Sequence, residues 1–502
     1  MNNSLLWQEA KDKNMRNRLI VSLILAAFLC VTAFAHSGKP KYHVIIDTDG
    51  AIDDMRAIAM LLSANDVRVL ALTCSQGTLL PRTVFVKVNS LLSAFHHEGI
   101  PTGISEEINS GLPAWAPFAR EIQWADERHI QHLNPERESI ELLTRTIGNY
   151  PDKVTLIALG SLKTYADLLK ANRDLTEKIE RIIWYNNHRI EEGFNYSVSP
   201  ESYLYLRQSG ISLELVSGDA GDLVVGQDYL KHIKSSNSIY ARQIEAVHSR
   251  APVAERIHEK HLRLWDDLVP LYLTVPILFD METEENIKLV SMNRQIPPGF
   301  VNETIGKLLV SANAANNRVF KAFPLDSALY RTDYADILNE SLEKFGEIEW
   351  KAICMTNEIH GHTGIYSIIG AKMGIRAMEY FNVGVNNLQV LSFAGSNPPL
   401  SCFNDGIQIS TGATIGQGLI TVSDSVSAIP SAIFEFNNIR VKMTVKPEIA
   451  RQMQDEIGFG VLNYGLLSER YWLYIEELAI KYWAEYDRQA IFVIENINKA
   501  EL

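Results

Sequence analysis

The sequence predicts an α/β protein built on a mostly parallel sheet with helices on both faces. From residue 42 to about residue 280, short apolar runs alternate with segments of helical character. The apolar runs have the residue types that strands favour, and the segments between them are long enough for crossover helices. Strand, helix and strand in repetition therefore indicate parallel strands that are buried on both faces.

Five apolar runs are the predicted strands. In chain order they are "HVIID" at 43–47, "VRVLALTC" at 67–74, "VTLIALG" at 154–160, "ERIIWY" at 180–185 and "ISLELVS" at 211–217. Helices are predicted between them at 55–63, 81–97 and 161–171, and Pro81 suits a first helical turn because its missing N–H needs no partner there. Ligands of such sheets bind at the carboxyl ends of the strands. We therefore expect the functional site directly after these runs.

The chain is too long for one ordinary domain. With 502 residues, two or three domains are expected. The alternation of strands and helices is lost over residues 285–340, and a different pattern begins near residue 341. We therefore predict a boundary near residue 340, with one domain over 42–340 and a smaller one over 341–502.

The N-terminus has the pattern of a secretory signal peptide. Arg16 and Arg18 precede the apolar run "LIVSLILAAFLCVTAFA", which ends in the small-residue pattern Ala33-Phe34-Ala35. The alternative is a single membrane anchor, for which 17 apolar residues are at the short limit. We predict a signal peptide over residues 1–35, and a secreted, periplasmic protein with no membrane attachment after cleavage.

The composition excludes some partners. The formal net charge is −13, and an acidic protein binds polyanions poorly, so nucleic acid is not expected as a partner. Four cysteines in the whole chain argue against a disulfide scaffold. We expect a small-molecule ligand and a homo-oligomer.

Four aspartates follow the first predicted strand within eight positions, in "DTDGAIDD" at 47–54. Asp and Gly after a strand often form a turn and cap a helix. Four carboxylates exceed what a cap needs, and they repel one another unless a cation or a proton intervenes. An EF-hand loop is excluded because Gly50 falls at position 4 instead of 6 and Ile58 occupies position 12.

Two enzyme families would explain this cluster. An apolar strand followed by D-x-D-G resembles the haloacid-dehalogenase-like phosphatases, in which Asp47 would be the nucleophile and Asp49 the acid. That family has Thr or Val where this chain has Ala51, and it would leave Asp53 and Asp54 without a role.

The second resemblance covers more of the chain. "DTDGAIDD" resembles the signature D-T-D-P-G-x-D-D of the inosine–uridine nucleoside hydrolases, with every aspartate in register. "VTLIALGSLKTYADLL" from 154, "GFN" at 193–195 and "LWDDLVPLYL" from 264 resemble that family's V-T-L-V-A-x-G-P-L-T-N-L-A, E-F-N and H-D-P-L-A segments. The resemblance implies a Rossmann-like, mostly parallel sheet and calcium-dependent hydrolysis of the N-glycosidic bond of ribonucleosides or related ribosides.

The resemblance also implies the residues of the site. Ca²⁺ takes six to eight oxygen ligands, so carboxylates and a carbonyl suit it. The implied ligands are the side chains of Asp49, Asp54 and Asp266, the backbone carbonyl of Leu159, and Asp47 as a supporting ligand. Asp53 and Asn195 would hold ribose hydroxyls. Asp49 would be the catalytic base for an attacking water that the metal activates, and the carboxylates would stabilise an oxocarbenium-like sugar.

Several positions depart from the family pattern. Thr78 stands where the family usually has Asn, which puts one ribose contact in doubt, and Gly193 replaces the Glu of E-F-N. Trp265 replaces the His that precedes the late aspartate, and it would either stack on the base or pack in the core. His258 and His261 would either supply a replacement acid or be ordinary polar-face residues. Because of these departures, a calcium-dependent protein that binds ribosides or sugars without turnover remains an alternative.

The last third resembles a second family. "IHGHTGIYSIIG" from 359 and "CFNDGIQISTGATIGQG" from 402 resemble the FmdE-like domain, named for a formylmethanofuran dehydrogenase subunit, which implies a smaller α+β fold. His360, His362 and Cys402 suit Zn²⁺ or another transition metal as a possible second site. However, Thr363-Gly364-Ile365 replaces C-P-G and Ala413 replaces a cysteine, so a vestigial site is the alternative.

Overall fold

We describe the fold from a computed structural model. It describes residues 40–108, 111–133, 137–218, 223–284, 286–310 and 319–497, and Pro40–Leu502 form one compact unit. The predicted signal peptide lies outside these ranges, so secretion stays a prediction. Within the same ranges, no helix combines the length and the apolar character that crossing a membrane requires.

The first lobe, residues 42–310, contains an eight-stranded sheet. Its strands are β1 Tyr42–Thr48, β2 Val67–Cys74, β3 Thr102–Ile104, β4 Val154–Ala158, β5 Ile179–Tyr185, β6 Ser212–Ser217, β7 Phe279–Glu284 and β8 Ile287–Met292. The strand order is β3-β2-β1-β4-β5-β6-β8-β7, and every neighbouring pair is parallel except β7 and β8. The predicted α/β fold with a mostly parallel sheet is confirmed.

Helices cover both faces of this sheet. They are α1 Ile52–Ser63, α2 Pro81–Ala94, α3 Ala116–Glu121, α4 Ser139–Asn149, α5 Lys163–Ala171, α6 Phe194–Val198, α7 Pro200–Arg207, α8 Gln227–Ser235, α9 Ile239–His248, α10 Val253–His258, α11 Leu268–Thr274 and α12 Pro298–Val310. Successive side chains of a strand point to opposite faces. Val44 and Ile46 accordingly belong to one core and Ile45 to another, which explains why β1 is an apolar run without alternation.

The second lobe, residues 323–497, contains a smaller sheet packed on long helices. Its strands are β9 Gln389–Ser392, β10 Ile420–Val422, β11 Ser431–Phe436, β12 Ile439–Val445 and β13 Phe492–Asn496, in the order β10-β9-β11-β12-β13. Its helices are α13 Thr332–His360, α14 Ile365–Phe381, α15 Phe403–Thr411, α16 Pro447–Tyr464 and α17 Glu469–Glu485. The core of this lobe begins at Phe323, and α13 crosses residue 340. The predicted boundary near residue 340 stays a prediction.

The two lobes are joined by backbone and ionic contacts. The Gly99 N–H donates to the Tyr380 carbonyl over 2.9 Å, and Arg376 pairs with Glu98 at 3.0 Å. The Asn382 amide donates to the Leu62 carbonyl over 3.1 Å. In the first lobe, these contacts are made by the last turn of α1 and by the loop after α2. The C-terminal ends of both helices therefore face the second lobe.

We predict that Gly99→Ala disturbs this interface. A methyl group at Gly99 would collide with the Tyr380 ring and would lie 2.7 Å from the Tyr380 carbonyl oxygen. Overpacking of this kind costs about 1–3 kcal/mol, so the melting temperature should fall measurably in thermal unfolding. Gly111→Ala is the matched control, because a methyl group there meets nothing within 4 Å. Equal melting temperatures for the two variants would contradict the prediction.

Candidate active site

The aspartate cluster lies at the carboxyl end of the central strand. β1 lies between β2 and β4, and its residue Asp47 is paired with Thr73 and Ala158 on those strands. Asp49 follows the strand, and Asp53 and Asp54 form the first turn of α1. All four aspartates are buried, and the positive end of the α1 dipole favours negative charge at this position.

A fifth carboxylate arrives from a distant part of the chain. Asp266 precedes α11, and single carboxylate oxygens of Asp53, Asp54 and Asp266 lie within 4.8 Å of one another. Among the residues that the structure describes, these three, hereafter the acidic trio, are the one set of His, Cys, Asp or Glu side chains arranged in this way. The resemblance implies that Asp53 contacts the ribose, and the structure places its carboxylate beside those of Asp54 and Asp266.

Asp49 lies beside the trio. Its backbone N–H donates to Asp54 Oδ1 over 3.1 Å, and the Thr48 hydroxyl donates to the same oxygen over 2.6 Å. A methyl group added at Gly77 would collide with the Asp49 carboxylate, so only a glycine allows this close approach. Asp49, Asp54 and Asp266 are therefore brought together as the sequence predicted, although their roles as ligands stay predictions.

The electrostatics of the cluster favour a bound cation. Burial, followed by repulsion from Asp54, raises the pKa of Asp53 to about 7 and that of Asp49 well above its usual range. Burial and the charges of Asp54 and Asp53 also raise the pKa of Asp266 well above its usual range. A nearby cation would lower these pKa values because it stabilises the ionised carboxylates.

Two buried oxygens support the same conclusion. Asp49 Oδ1 and Asp266 Oδ1 are buried without a hydrogen-bond partner within the described ranges. Buried polar atoms without partners are rare, and an ion is one explanation for them. Because all the donors are hard oxygens, the residues present fit Ca²⁺ better than a soft transition metal.

Asp47 supports the cluster from behind. Its two carboxylate oxygens accept the Thr73 hydroxyl over 2.6 Å and the Ser75 hydroxyl over 2.7 Å. Its backbone carbonyl accepts the Leu159 N–H over 2.9 Å. Asp47 does not line the cavity described below, so this geometry gives no support to a phosphatase that uses Asp47 as the nucleophile.

A cavity of about 520 Å³ opens above the carboxylates. Its floor is formed by Asp49, the acidic trio and Leu159. Its walls are aromatic and include Trp115, Phe118, Tyr185, Phe194 and Trp265. The rings of Trp115 and Phe194 are arranged edge to face, with their centroids 4.8 Å apart. Ligand cavities of about 300–1,000 Å³ suit small molecules, so this cavity has the size of a small-molecule site.

The predicted sugar-binding residues are partly engaged by the protein. The Asn195 amide donates to the Leu159 carbonyl over 2.8 Å and to the Tyr185 carbonyl over 3.0 Å. Thr78 hydrogen bonds to Asp49 and accepts the Trp115 indole N–H over 3.2 Å. Both Asn195 and Thr78 line the cavity, so their roles in binding the sugar stay predictions.

The cavity lining also includes residues that the sequence predicts beside a leaving base. Trp265 is partly buried and lines the cavity, as stacking on a base requires. His261 also lines it and pairs with Glu259 at 3.0 Å, whereas His258 is not among the lining residues. Arg256 lines the same cavity, and its guanidinium lies 5.3 Å from the centre of the Phe118 ring.

Sequence reasoning missed Trp115, Phe118 and Arg256. They lie in segments without a motif, and only the topology of the sheet brings them to the carboxylates. The apolar stretch "LPAWAPFA" at 112–119 was the one available signal, because aromatic residues near Pro in a connecting segment often line sites.

The C-terminal candidate residues lie near each other but do not form a closed ligand set. His360 Nδ1 lies 2.8 Å from Asp405 Oδ2, and the His360 and His362 rings are 4.3 Å apart. His360, Cys402 and Asp405 line a cavity of about 310 Å³. The His360, His362 and Cys402 ligand atoms do not all approach within 4.8 Å of one another in the described structure. A transition metal here stays a prediction.

Comparisons with known proteins identify two family models that match different parts of the chain. A family model described as inosine-uridine preferring nucleoside hydrolase matches residues 44–322, and one described as FmdE, molybdenum formylmethanofuran dehydrogenase operon, matches residues 359–458. Uridine nucleosidase 1 from Arabidopsis thaliana is 27% identical over 201 residues, which cover 39% of this chain and 59% of that protein. The pyrimidine-specific ribonucleoside hydrolase RihA of Klebsiella pneumoniae strain 342 is 27% identical over 194 residues, 35% of this chain and 60% of that one.

The match to these relatives therefore spans about 60% of their length. Among solved structures, a plant nucleoside hydrolase aligns with a TM-score of 0.46 at 17% identity, and covers 54% of this chain and 99% of its own. The Bacillus anthracis inosine-uridine preferring nucleoside hydrolase aligns with a TM-score of 0.43 at 16% identity, with the same coverages. Because the first family model covers more than half of the sequence, the chain belongs to the inosine-uridine preferring nucleoside hydrolase family, with an FmdE domain fused to it.

Proposed function

We propose that this protein hydrolyses the N-glycosidic bond of ribonucleosides, or of related ribosides, in a calcium-dependent reaction. The observation that carries the proposal is the acidic trio, which forms the floor of a cavity of nucleoside size. Family membership supports hydrolysis, and the hard oxygen donors support calcium. We also propose a pyrimidine as the preferred base, because the two relatives are named as a uridine nucleosidase and a pyrimidine-specific ribonucleoside hydrolase.

The acidic trio, Asp49 and the Leu159 carbonyl would hold the metal. When bound, calcium supplies an electrophilic centre that acidifies a neighbouring water. Asp49 would accept the proton of the attacking water. Its place in the cavity lining supports this role, as does its oxygen without a partner among the described residues. Thr78 fixes its orientation through hydrogen bonds from backbone and side chain.

The carboxylates also stabilise the sugar as the bond breaks. Cleavage of a glycosidic bond develops positive charge on the sugar, and preorganised negative groups below the ring lower the barrier. The buried floor strengthens this effect because little water screens it. Asn195 and Asp53 border the same floor and would contact the sugar hydroxyls.

Three further lining residues would contact the departing base. The base takes up electron density as it leaves, and the guanidinium of Arg256 is a permanent positive charge in the cavity lining. The Trp265 ring offers a stacking surface. His261 is the remaining candidate for a proton donor, since Trp265 occupies the position of the family's histidine.

The test is base release by residues 36–502 from a panel of purine and pyrimidine nucleosides. We expect release with Ca²⁺ and none after chelation, and the rank order should name the preferred base. Magnesium serves as the control cation, because it demands a smaller octahedral site and should restore less activity. If calcium binds but no nucleoside is cleaved, hydrolysis of ribonucleosides is excluded. Release of a base from no related riboside either would overturn the whole proposal and leave binding without turnover.

A further inference from the structure

A fully buried ion pair lies directly behind the acidic trio. Arg56 Nε donates to Asp267 Oδ1 over 2.8 Å, and Arg56 Nη2 donates to Asp267 Oδ2 over 2.7 Å. Both side chains have no exposed surface. Two parallel hydrogen bonds between a guanidinium and a carboxylate fix both distance and orientation.

The pair connects the two elements that carry the trio. Arg56 lies in α1, one turn after Asp53, and Asp267 directly follows Asp266. The two partners are 211 positions apart in the sequence. The ion pair therefore joins the start of α1 to the segment that begins α11, and these segments meet at the metal position.

The arginine is held on its other sides as well. Its Nη2 also donates to the Arg263 carbonyl over 2.9 Å, and its Nη1 faces His248 Nε2 at 3.4 Å. His248 Nδ1 lies 2.8 Å from the Ile244 carbonyl, so Nδ1 carries the proton and Nε2 accepts. Burial and the charge of Arg56 lower the pKa of His248 to about 3, so this histidine is neutral. The guanidinium consequently has little freedom to move.

Stability alone does not explain such a pair. Buried ion pairs often contribute no more than well-packed apolar residues of similar size, because removing two charges from water is costly. Asp267 also stands where the family segment H-D-P-L-A has proline. The pair therefore departs from the family segment, and its contribution to stability does not explain it. Its position between α1 and the Asp266 segment is the feature to explain.

We propose that Arg56 and Asp267 are positioning residues that set the spacing of the acidic trio and thereby the calcium affinity. The inference rests on the proposed function. The three carboxylates repel one another before a cation binds, and the ion pair resists their separation by joining α1 to the Asp266 segment. Without the pair, the Asp266 carboxylate would move away from Asp53 and Asp54, and the apo site would have to reorganise to bind.

The test measures the dissociation constant of calcium by calorimetry and the melting temperature without calcium. Arg56→Met and Asp267→Asn each leave one charge buried and should lower both stability and affinity. The decisive variant is the double substitution Arg56→Met with Asp267→Leu, which removes both buried charges and should fold. We expect its calcium dissociation constant to rise about 10- to 100-fold, as for other residues that orient metal ligands.

A control separates positioning from general stability. Glu214 is a buried carboxylate of the same lobe that pairs with Arg181 at 3.0 Å and Lys288 at 2.8 Å, and it is not part of the acidic trio. It also accepts the Tyr272 hydroxyl of α11 over 2.9 Å, and a glutamine keeps an oxygen that can accept this bond. Glu214→Gln should lower the melting temperature and leave the calcium dissociation constant unchanged. If the double variant of Arg56 and Asp267 binds calcium with wild-type affinity, the positioning role is overturned, but the proposed function is not. A wild-type protein that binds no calcium would overturn both this inference and the proposed function.

Discussion

Asp49→Asn will lower the turnover number on the best nucleoside by about 10²–10⁴-fold, the usual contribution of a general base. Asparagine keeps the shape of the side chain and one oxygen, but it cannot accept the proton of the attacking water. Calcium binding should weaken less than turnover, because the acidic trio is intact. The measurement is the steady-state turnover number at saturating calcium, together with the calcium dissociation constant of the same preparation.

A matched control for this variant is available in the same lobe. Asp228 is a half-exposed carboxylate that accepts the Asn302 amide over 2.8 Å, and it is not among the residues that line the cavity. Asp228→Asn should turn over at the wild-type rate. If Asp49→Asn also keeps the wild-type turnover number, another group is the base and the assignment of Asp49 is wrong.

The second large effect concerns stability. Glu349→Ala should destabilise the second lobe by about 3–5 kcal/mol, as expected when one member of a buried ion pair is removed. Glu349 accepts Lys372 Nζ over 2.6 Å, and neither side chain has exposed surface. It also accepts Arg488 Nη1 over 2.9 Å. Burial already lowers the pKa of Lys372, and the loss of Glu349 would remove the charge that opposes this effect.

The same variant should weaken the contact between the lobes. Arg488 also binds Glu379, and the Glu379 carbonyl lies 2.7 Å from Nδ1 of His97 in the first lobe. Urea denaturation measures the loss of stability. Glu340→Ala is the control. Glu340 lies in the part of α13 before the kink at Gly346, and its ion pair with Lys344 is exposed and is worth about 0–1 kcal/mol. A loss of less than 1 kcal/mol in the free energy of unfolding for Glu349→Ala would contradict the prediction. It would show that Lys372 and Arg488 become hydrated when Glu349 is removed.

The fold was largely predictable because its central strands are buried on both faces. Such strands are apolar throughout, and all five predicted runs coincide with β1, β2, β4, β5 and β6. The pair β7 and β8 was not predicted. Most of β7 is exposed, since it is an antiparallel edge strand with the sequence "FDMETE", and its polar residues gave no strand signal.

The site was predictable only where its residues are contiguous or match a family pattern. Asp47, Asp49, Asp53 and Asp54 are close in the sequence because one strand and one helix present them. Asp266 needed the family pattern, since nothing local marks it as a partner. The Arg56–Asp267 pair and the position of Trp115 in the cavity wall result from contacts between distant segments. A single sequence does not reveal such contacts.

The second lobe is structurally tied to the first. Both α1 and α2 begin near the carboxylates and end at contacts with α14 or the residue after it. This arrangement brings the last turn of the helix that carries Asp53 and Asp54 into contact with the fused domain. The prediction for Gly99→Ala tests the neighbouring contact after α2.

The most direct test of the account is the rate of base release from the best nucleoside while free Ca²⁺ is titrated into chelator-treated protein. The account predicts no release without calcium and a single saturating rise, whose midpoint equals the dissociation constant measured by calorimetry. The Asp266→Ala variant should show neither binding nor release. Full activity in excess chelator would contradict the account, as would calcium activation that survives the loss of Asp266.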